Sequence, residues 1–152
     1  MSVQASIDIE FSHLSQNYKN RLDLIKILLD EGWTLNDNNG ISYLPLGDDG
    51  DFDWILSAKI SQNELMKILE EKEKNRELIA IVLTWKDTNI GGSVLFYSTS
   101  NEISFICTRD RQILYGLNNF KMTNANWYLS RLIPIFYKTN IPIKSFIFDE
   151  LK

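Results

Sequence analysis

The chain has 152 residues, of which 44% are hydrophobic, 24% charged and 12% aromatic, a balance that excludes a disordered or fibrous protein and fits one folded domain over residues 1–152. Its net charge of −4 leaves none of the clustered Lys and Arg that phosphate neutralisation demands, so no direct nucleic-acid partner is expected. Cys107 is the only cysteine, which excludes an intrachain disulfide and suits a reducing compartment. The first ten residues carry no basic n-region or apolar h-region, and no apolar run approaches the ~18 residues of a membrane span. The expectation is a cytoplasmic protein with no membrane partner.

Val3, Ala5, Ile7, Ile9 and Phe11 alternate with Gln4, Ser6, Asp8 and Glu10, the period of a half-buried strand. Ser15 is then the expected N-cap of a helix in which Tyr18, Leu22, Ile25, Leu28 and Leu29 recur at helical spacing, with Gly32 just past its end. Trp33 to Leu35 and Ile41 to Leu44 flank Asn36-Asp37-Asn38-Asn39-Gly40 and read as a hairpin with a five-residue turn, ended by Pro45. After an acidic loop, Trp54 to Ile60 is expected as a strand. Ser61-Gln62-Asn63-Glu64 is a capping box that opens a second helix through Leu65, Met66, Ile68 and Leu69. Its last part, Glu70 to Lys74, reads as a solvated face with i,i+4 pairs.

Leu78 to Trp85 is continuously apolar and β-branched, the pattern of a central strand buried on both faces. Lys86 to Gly92 turns the chain, and Val94 to Thr99 and Ile103 to Thr108 read as antiparallel strands joined around Ser100-Asn101. Thr123 or Asn124 caps a third helix with Trp127, Tyr128, Leu132, Ile135 and Phe136 on one face, and Pro134 inside it should kink it. Ile141 to Phe148 closes the chain as a strand with Pro142 at its beginning. The sum is an α+β fold: a mainly antiparallel sheet of about seven strands with three helices in a single domain.

Chemical signatures are few. His13 is the only histidine, so a triad or a multi-histidine zinc site is excluded, and the residue reads as a solvent-facing turn. Cys107 lies in an apolar strand and reads as a small core residue. Arg109 and Arg111 flank Asp110 and read as a solvated turn rather than an anion site. Asp49, Asp51 and Asp53 occupy the first, third and fifth places of an EF-hand loop, but Trp54 stands at the sixth and Ile60 at the twelfth, where glycine and glutamate are required. No metal or other cofactor is expected. Ile90-Gly91-Gly92-Ser93-Val94-Leu95-Phe96 resembles the central hairpin of acyl-CoA-dependent N-acetyltransferases, which makes a small enzyme of that kind the alternative reading. Arg111 to Asn118, however, holds one glycine where such an enzyme has a glycine-rich turn at a helix N-terminus.

The most distinctive stretch is Leu46 to Trp54, where Asp48, Asp49, Asp51 and Asp53 share a short loop with Phe52 and Trp54 and no basic residue. A carboxylate cluster in a loop ordinarily raises solubility and no more. Interleaved aromatics change the expectation, because interface hot spots are enriched in aromatics that fill pockets while charges around them steer the encounter. Trp54, at a strand start, can equally serve the core. The order strand, helix, Gly32-Trp33 hairpin, then Tyr43-Leu44-Pro45-Leu46-Gly47-Asp48-Asp49 and Asp51-Phe52-Asp53-Trp54, resembles small bacterial immunity proteins of contact-dependent growth inhibition and related polymorphic toxin systems, over residues 20 to 60. The abundance of Ile, Asn and Lys fits the low GC content common in such mobile cassettes. The resemblance implies a protein, not an enzyme, that binds a cognate basic toxin domain, usually a nuclease, inside the cell and occludes its active-site cleft. It would act as a monomer or weak homodimer, with Asp48, Asp49, Asp51 and Asp53 facing Lys or Arg and with Phe52 and Trp54 as apolar anchors.

Overall fold

The computed structural model describes residues 3–12, 20–99 and 101–151. In chain order the elements are β1 Gln4–Phe11, α1 Arg21–Asp30, β2 Trp33–Thr34, β3 Ile41–Tyr43, β4 Ile55–Ser57, α2 Gln62–Lys74 and β5 Ile79–Trp85. They continue as β6 Gly91–Phe96, β7 Glu102–Arg109, β8 Ile113–Tyr115, a 3-10 turn at Leu117–Asn119, β9 Lys121–Thr123, α3 Ala125–Lys138 and β10 Ile143–Leu151. Eight strands form one sheet in the order β10-β1-β7-β6-β5-β3-β4, with β2 also on β5, and every pairing is antiparallel. β8 and β9 form a separate two-stranded hairpin. The fold is α+β, as the sequence predicts.

The alternation in β1 does what its period requires: Ala5, Ile7, Ile9 and Phe11 are buried, while the intervening residues line the other face. Their face of the sheet also carries Ile79, Ile81, Leu83, Val94, Phe96, Ile103 and Phe105, and it packs in one core with Leu24, Ile25 and Leu28 of α1, Leu65 and Leu69 of α2, and Tyr128, Leu132 and Phe136 of α3. β5 is the central strand expected, buried through six of its seven residues. Its opposite face, with Ala80, joins Leu44, Leu78 and Leu95 in a second small cluster. Further along that opposite face the sheet is polar: Tyr97 Oη shares a hydrogen bond with Ser104 Oγ at 2.9 Å, and Ser104 donates to Asp8. Gly91 and Gly92 allow the tightest strand approach. A Cβ on either would lie 1.9 Å from the Leu83 carbonyl oxygen or 1.8 Å from that of Ile106, so these glycines serve sheet packing.

The capping box of α2 and the glycine past the end of α1 are as expected, but α1 starts at Arg21 and not under Ser15, because Asn20 and Asp23 form a capping box of their own. Asn20 caps α1 by accepting from the Leu22 and Asp23 amides, and Gly32 follows the C-cap at φ +123°. Ser15, Tyr18 and His13 lie outside the described residues. Ser61 and Glu64 cap α2 reciprocally at 3.1 Å each way, and Asn124 rather than Thr123 caps α3. Pro134 sits on the solvent side of α3, which runs through it to Lys138 as one element. No described helix is long and apolar enough to cross a membrane.

Three further expectations need correction. β2 and β3 do not form a hairpin ladder; both align along β5, with Trp33 opposite Trp85 and Tyr43 opposite Ile81, and only Asp37 and Gly40 bridge the turn between them. The buried edge of β5 offers more apolar contact than two short strands could offer each other. The strand expected from Trp54 to Ile60 is only Ile55–Ser57, because Ser57 Oγ accepts from the Lys59 and Ile60 amides and turns the chain toward α2. The run Glu70 to Lys74 is not simply solvated. Lys72 is fully buried, and Glu73 pairs with the buried Arg21, which also donates to the carbonyls of Glu77 and Phe96.

Candidate functional site

The acidic loop leaves β3 through Leu44 and Pro45 and returns as β4, an outer strand of the sheet. Gly47 and Gly50 adopt φ of +93° and +125°, and the chain between them folds over the Asp48 side chain. Asp48 Oδ1 accepts from the amides of Gly50 at 3.1 Å, Asp51 at 2.8 Å and Phe52 at 3.2 Å, and Oδ2 accepts from Asp53 at 2.8 Å. Burial opposes ionisation here, but the four amides outweigh it and hold the carboxyl below the ordinary aspartate range. Asp48 is 5% exposed. Its carboxylate organises the loop, so it does not offer itself to a partner cation, and the sequence-based contact set is narrowed accordingly.

Lys72 of α2 clamps the loop from below. Its ammonium donates to the carbonyls of Pro45 at 2.9 Å and Asp48 at 2.8 Å and to Glu77 Oε1 at 3.1 Å, filling its three donor positions. Glu77 Oε1 also accepts from Gly47 N at 2.7 Å. Burial would raise the Glu77 pKa, yet the Gly47 amide and Lys72 bring it below the ordinary range. Asp49 is exposed but has one oxygen committed to Leu78 N at 2.6 Å, which ties the loop to the start of β5. On the far side of the Asp37 turn, Arg109 grips Asp37 with Nε and Nη2 at 2.9 and 3.1 Å, and Ser42 donates to the same carboxylate. Burial works against ionised Asp37, and Arg109 and Ser42 overcome it, so its pKa is lowered.

The remaining loop residues face outward. Asp51 and Asp53 are exposed, Phe52 and Trp54 are 46% and 37% exposed, and Leu46, Ile55 and Leu56 are exposed as well, the last two on opposite faces of β4. Phe52 sits at φ +59°, a left-handed conformation that costs a bulky residue about 1–3 kcal/mol and survives only where the surroundings impose it. The hydrogen bonds to Asp48 on both sides of it do the imposing. Beside Phe52 lies an open cavity of about 460 Å³ lined by Asp49, Phe52, Leu78, Tyr97 and Glu102 among others.

Elsewhere the chemistry is committed to structure. Cys107 is buried against Tyr128, and burial pushes both the thiol and the phenol up to about 12. Arg111, expected in a solvated turn, instead donates to Thr123 Oγ1 at 2.7 Å and lies 3.8 Å from Glu150; Arg109 and Arg111 are both structural pins. Residues 111–118 run through β8 into the 3-10 turn, and no α-helix starts there. Among the described residues no three His, Cys, Asp or Glu side chains gather as a metal site.

Sequence reasoning missed Lys72 and the β8–β9 hairpin. Lys72 continues the spacing Leu65, Leu69, Lys72, the buried face of α2, so the signal was a cation on an apolar stripe. Asn118-Asn119 at the hairpin tip, both at positive φ, repeat the turn signature of Asn38-Asn39. No protein-family model, curated protein or solved structure matches the chain.

Proposed function

We propose that this chain is an immunity-type inhibitor that binds a cognate basic toxin domain through the loop of residues 46–56 and blocks its phosphate-holding cleft. The observation that carries the reading is Phe52: an exposed aromatic in a costly backbone conformation, flanked by two exposed carboxylates and fixed by a buried one. A loop already ordered before contact forfeits little conformational entropy on binding, which is how a small surface gains affinity. Asp51 and Asp53 supply the attraction that steers a basic partner, and Phe52 and Trp54 supply the apolar anchors. Asp49 and Glu102, with the rings of Phe52 and Tyr97, surround a cavity of the chemistry that receives an Arg side chain. Asp48 acts from within, by holding the others in place.

The reading requires the gene immediately upstream to end in a basic toxin domain, and the test is to mix that domain with the protein and follow binding and nuclease activity; an upstream gene without such a domain counts against the reading. An equimolar complex and loss of activity are expected, with association that slows as salt is added. Asp51→Asn with Asp53→Asn should slow association by about tenfold or more, and Phe52→Ala should mainly speed dissociation. A toxin domain that keeps full activity in excess of this protein would sink the reading.

A further inference from the structure

The opposite edge of the sheet presents a second surface, independent of the toxin reading. β10 pairs with β1 on one side only, and no strand among the described residues covers its outer side. It is nine residues long and mostly exposed, with Phe146, Ile147 and Leu151 at 48%, 61% and 62%. An uncovered, largely apolar edge strand is a template for another strand. Near its two ends lie two further exposed apolar features. The β8–β9 hairpin, joined to Glu150 by the Thr123 amide at 2.7 Å and by Arg111, carries Tyr115 at 72%, Leu117 at 88% and Phe120 at 57% exposure. At the other end, Tyr137, Asn140, Ile141 and Pro142 line an open, mainly apolar cavity of about 310 Å³.

We propose that β10 pairs antiparallel with β10 of a second copy of this chain, about a two-fold axis at Ile147, and that the β8–β9 hairpin of each copy packs at the Tyr137–Pro142 cavity of the other. Side-chain matching selects this register. Centred on Ile147, Phe146 meets Phe148 and Ser145 meets Asp149, and Lys144, paired with Glu10, comes beside Glu150, which Thr123 and Arg111 hold, so no like charges oppose each other. Centred one residue later, Ile147 would face Asp149 and Phe146 would face Glu150. Lys144 sits where the β1 register slips between Glu10 and Phe11, so regular pairing is confined to Ser145 onward, where the apolar match lies. The same two-fold sets the end of β10 that anchors the hairpin beside the start of β10 in the second copy, two residues from Pro142. A stable interface needs roughly 800 Å² from each partner, and the hairpin supplies apolar area beyond the strand edge. The resulting dimer is a continuous sheet with an acidic loop at each outer end.

Sedimentation of the full chain across a concentration series tests the proposal. A reversible dimer is expected by about 100 µM. Ile147→Lys, which places like charges at the axis on an exposed position, should raise the dimer Kd by at least about tenfold, as should Leu117→Asp at the hairpin tip. Under mild oxidation Ile147→Cys should form an intermolecular disulfide, since directly opposed residues lie about 4.5–5.5 Å apart at Cα. Ser145→Cys should not, being about 14 Å from its counterpart. A chain that stays monomeric at about 100 µM, a dimer indifferent to both charge substitutions, or equal cross-linking at both cysteine positions would overturn the proposal. The first of these would leave the edge to a strand from another protein.

Discussion

The two edges of the sheet solve the problem of exposure in different ways. At the β4 edge the strand is three residues long and the adjoining loop is held by a buried lysine, a buried aspartate and a glutamate, so its exposed aromatics are displayed on a fixed frame. At the β10 edge the strand is nine residues long, exposes apolar side chains on both faces, and has only the Lys144 irregularity near its start to interrupt it. A short edge bounded by carboxylates discourages strand pairing and suits side-chain recognition, whereas a long apolar edge invites backbone pairing. One molecule therefore offers two kinds of surface at opposite ends of the same sheet.

The comparison can be broken most forcefully at the frame. Lys72→Ala leaves Glu77 and two carbonyls without their shared cation and should cost about 3 kcal/mol in urea denaturation, with amide exchange rising at Gly50 to Asp53 before β10 responds. Gly92→Ala probes the sheet between the edges: its new Cβ would meet the Ile106 carbonyl, for an expected loss of about 1–3 kcal/mol. Phe52→Gly separates display from stability, since glycine relieves the left-handed backbone. Melting should be unchanged or improved by up to about 1 kcal/mol, while affinity for the proposed toxin domain falls. Ile147→Lys should shift stability of the isolated chain by no more than about 0.5 kcal/mol, its effect being confined to association.

Acid sharpens the same contrast. Asp37, Asp48 and Glu77 all have pKa values lowered in the fold, so their contribution is fully present above the unfolded carboxylate values near pH 4 and is lost as pH falls through the lower folded values. All three brace the β3–β4 side of the sheet. Hydrogen exchange at about pH 3 compared with about pH 6 should therefore show the acidic loop loosening first; uniform loss across the sheet would contradict this partition.

Much of the fold was legible because local rules and burial agreed. The β1 alternation, the two capping residues of α2 and the unbroken apolar run of β5 each have one physical solution, and the chain adopts it. The loop was visible as a candidate site from its composition, but the roles inside it were not. Asp48 and Asp51 look alike as letters; one is 5% exposed with its oxygens filled by amides, and the other faces water. Position relative to Gly47 and Gly50 decides between them, through backbone angles the sequence only hints at.

By itself the sequence determined that this chain forms a mainly antiparallel sheet with three helices and carries an acidic aromatic loop after the third strand, because hydrophobic period, caps and turn residues act within a few positions of one another. The tertiary structure alone decided that Lys72, Glu77 and Asp48 meet, that β2 and β3 both join β5, and that β10 is left at an edge. Those outcomes depend on which distant segments share a surface, and a buried cation or an open strand edge acquires meaning only once its neighbours are in place.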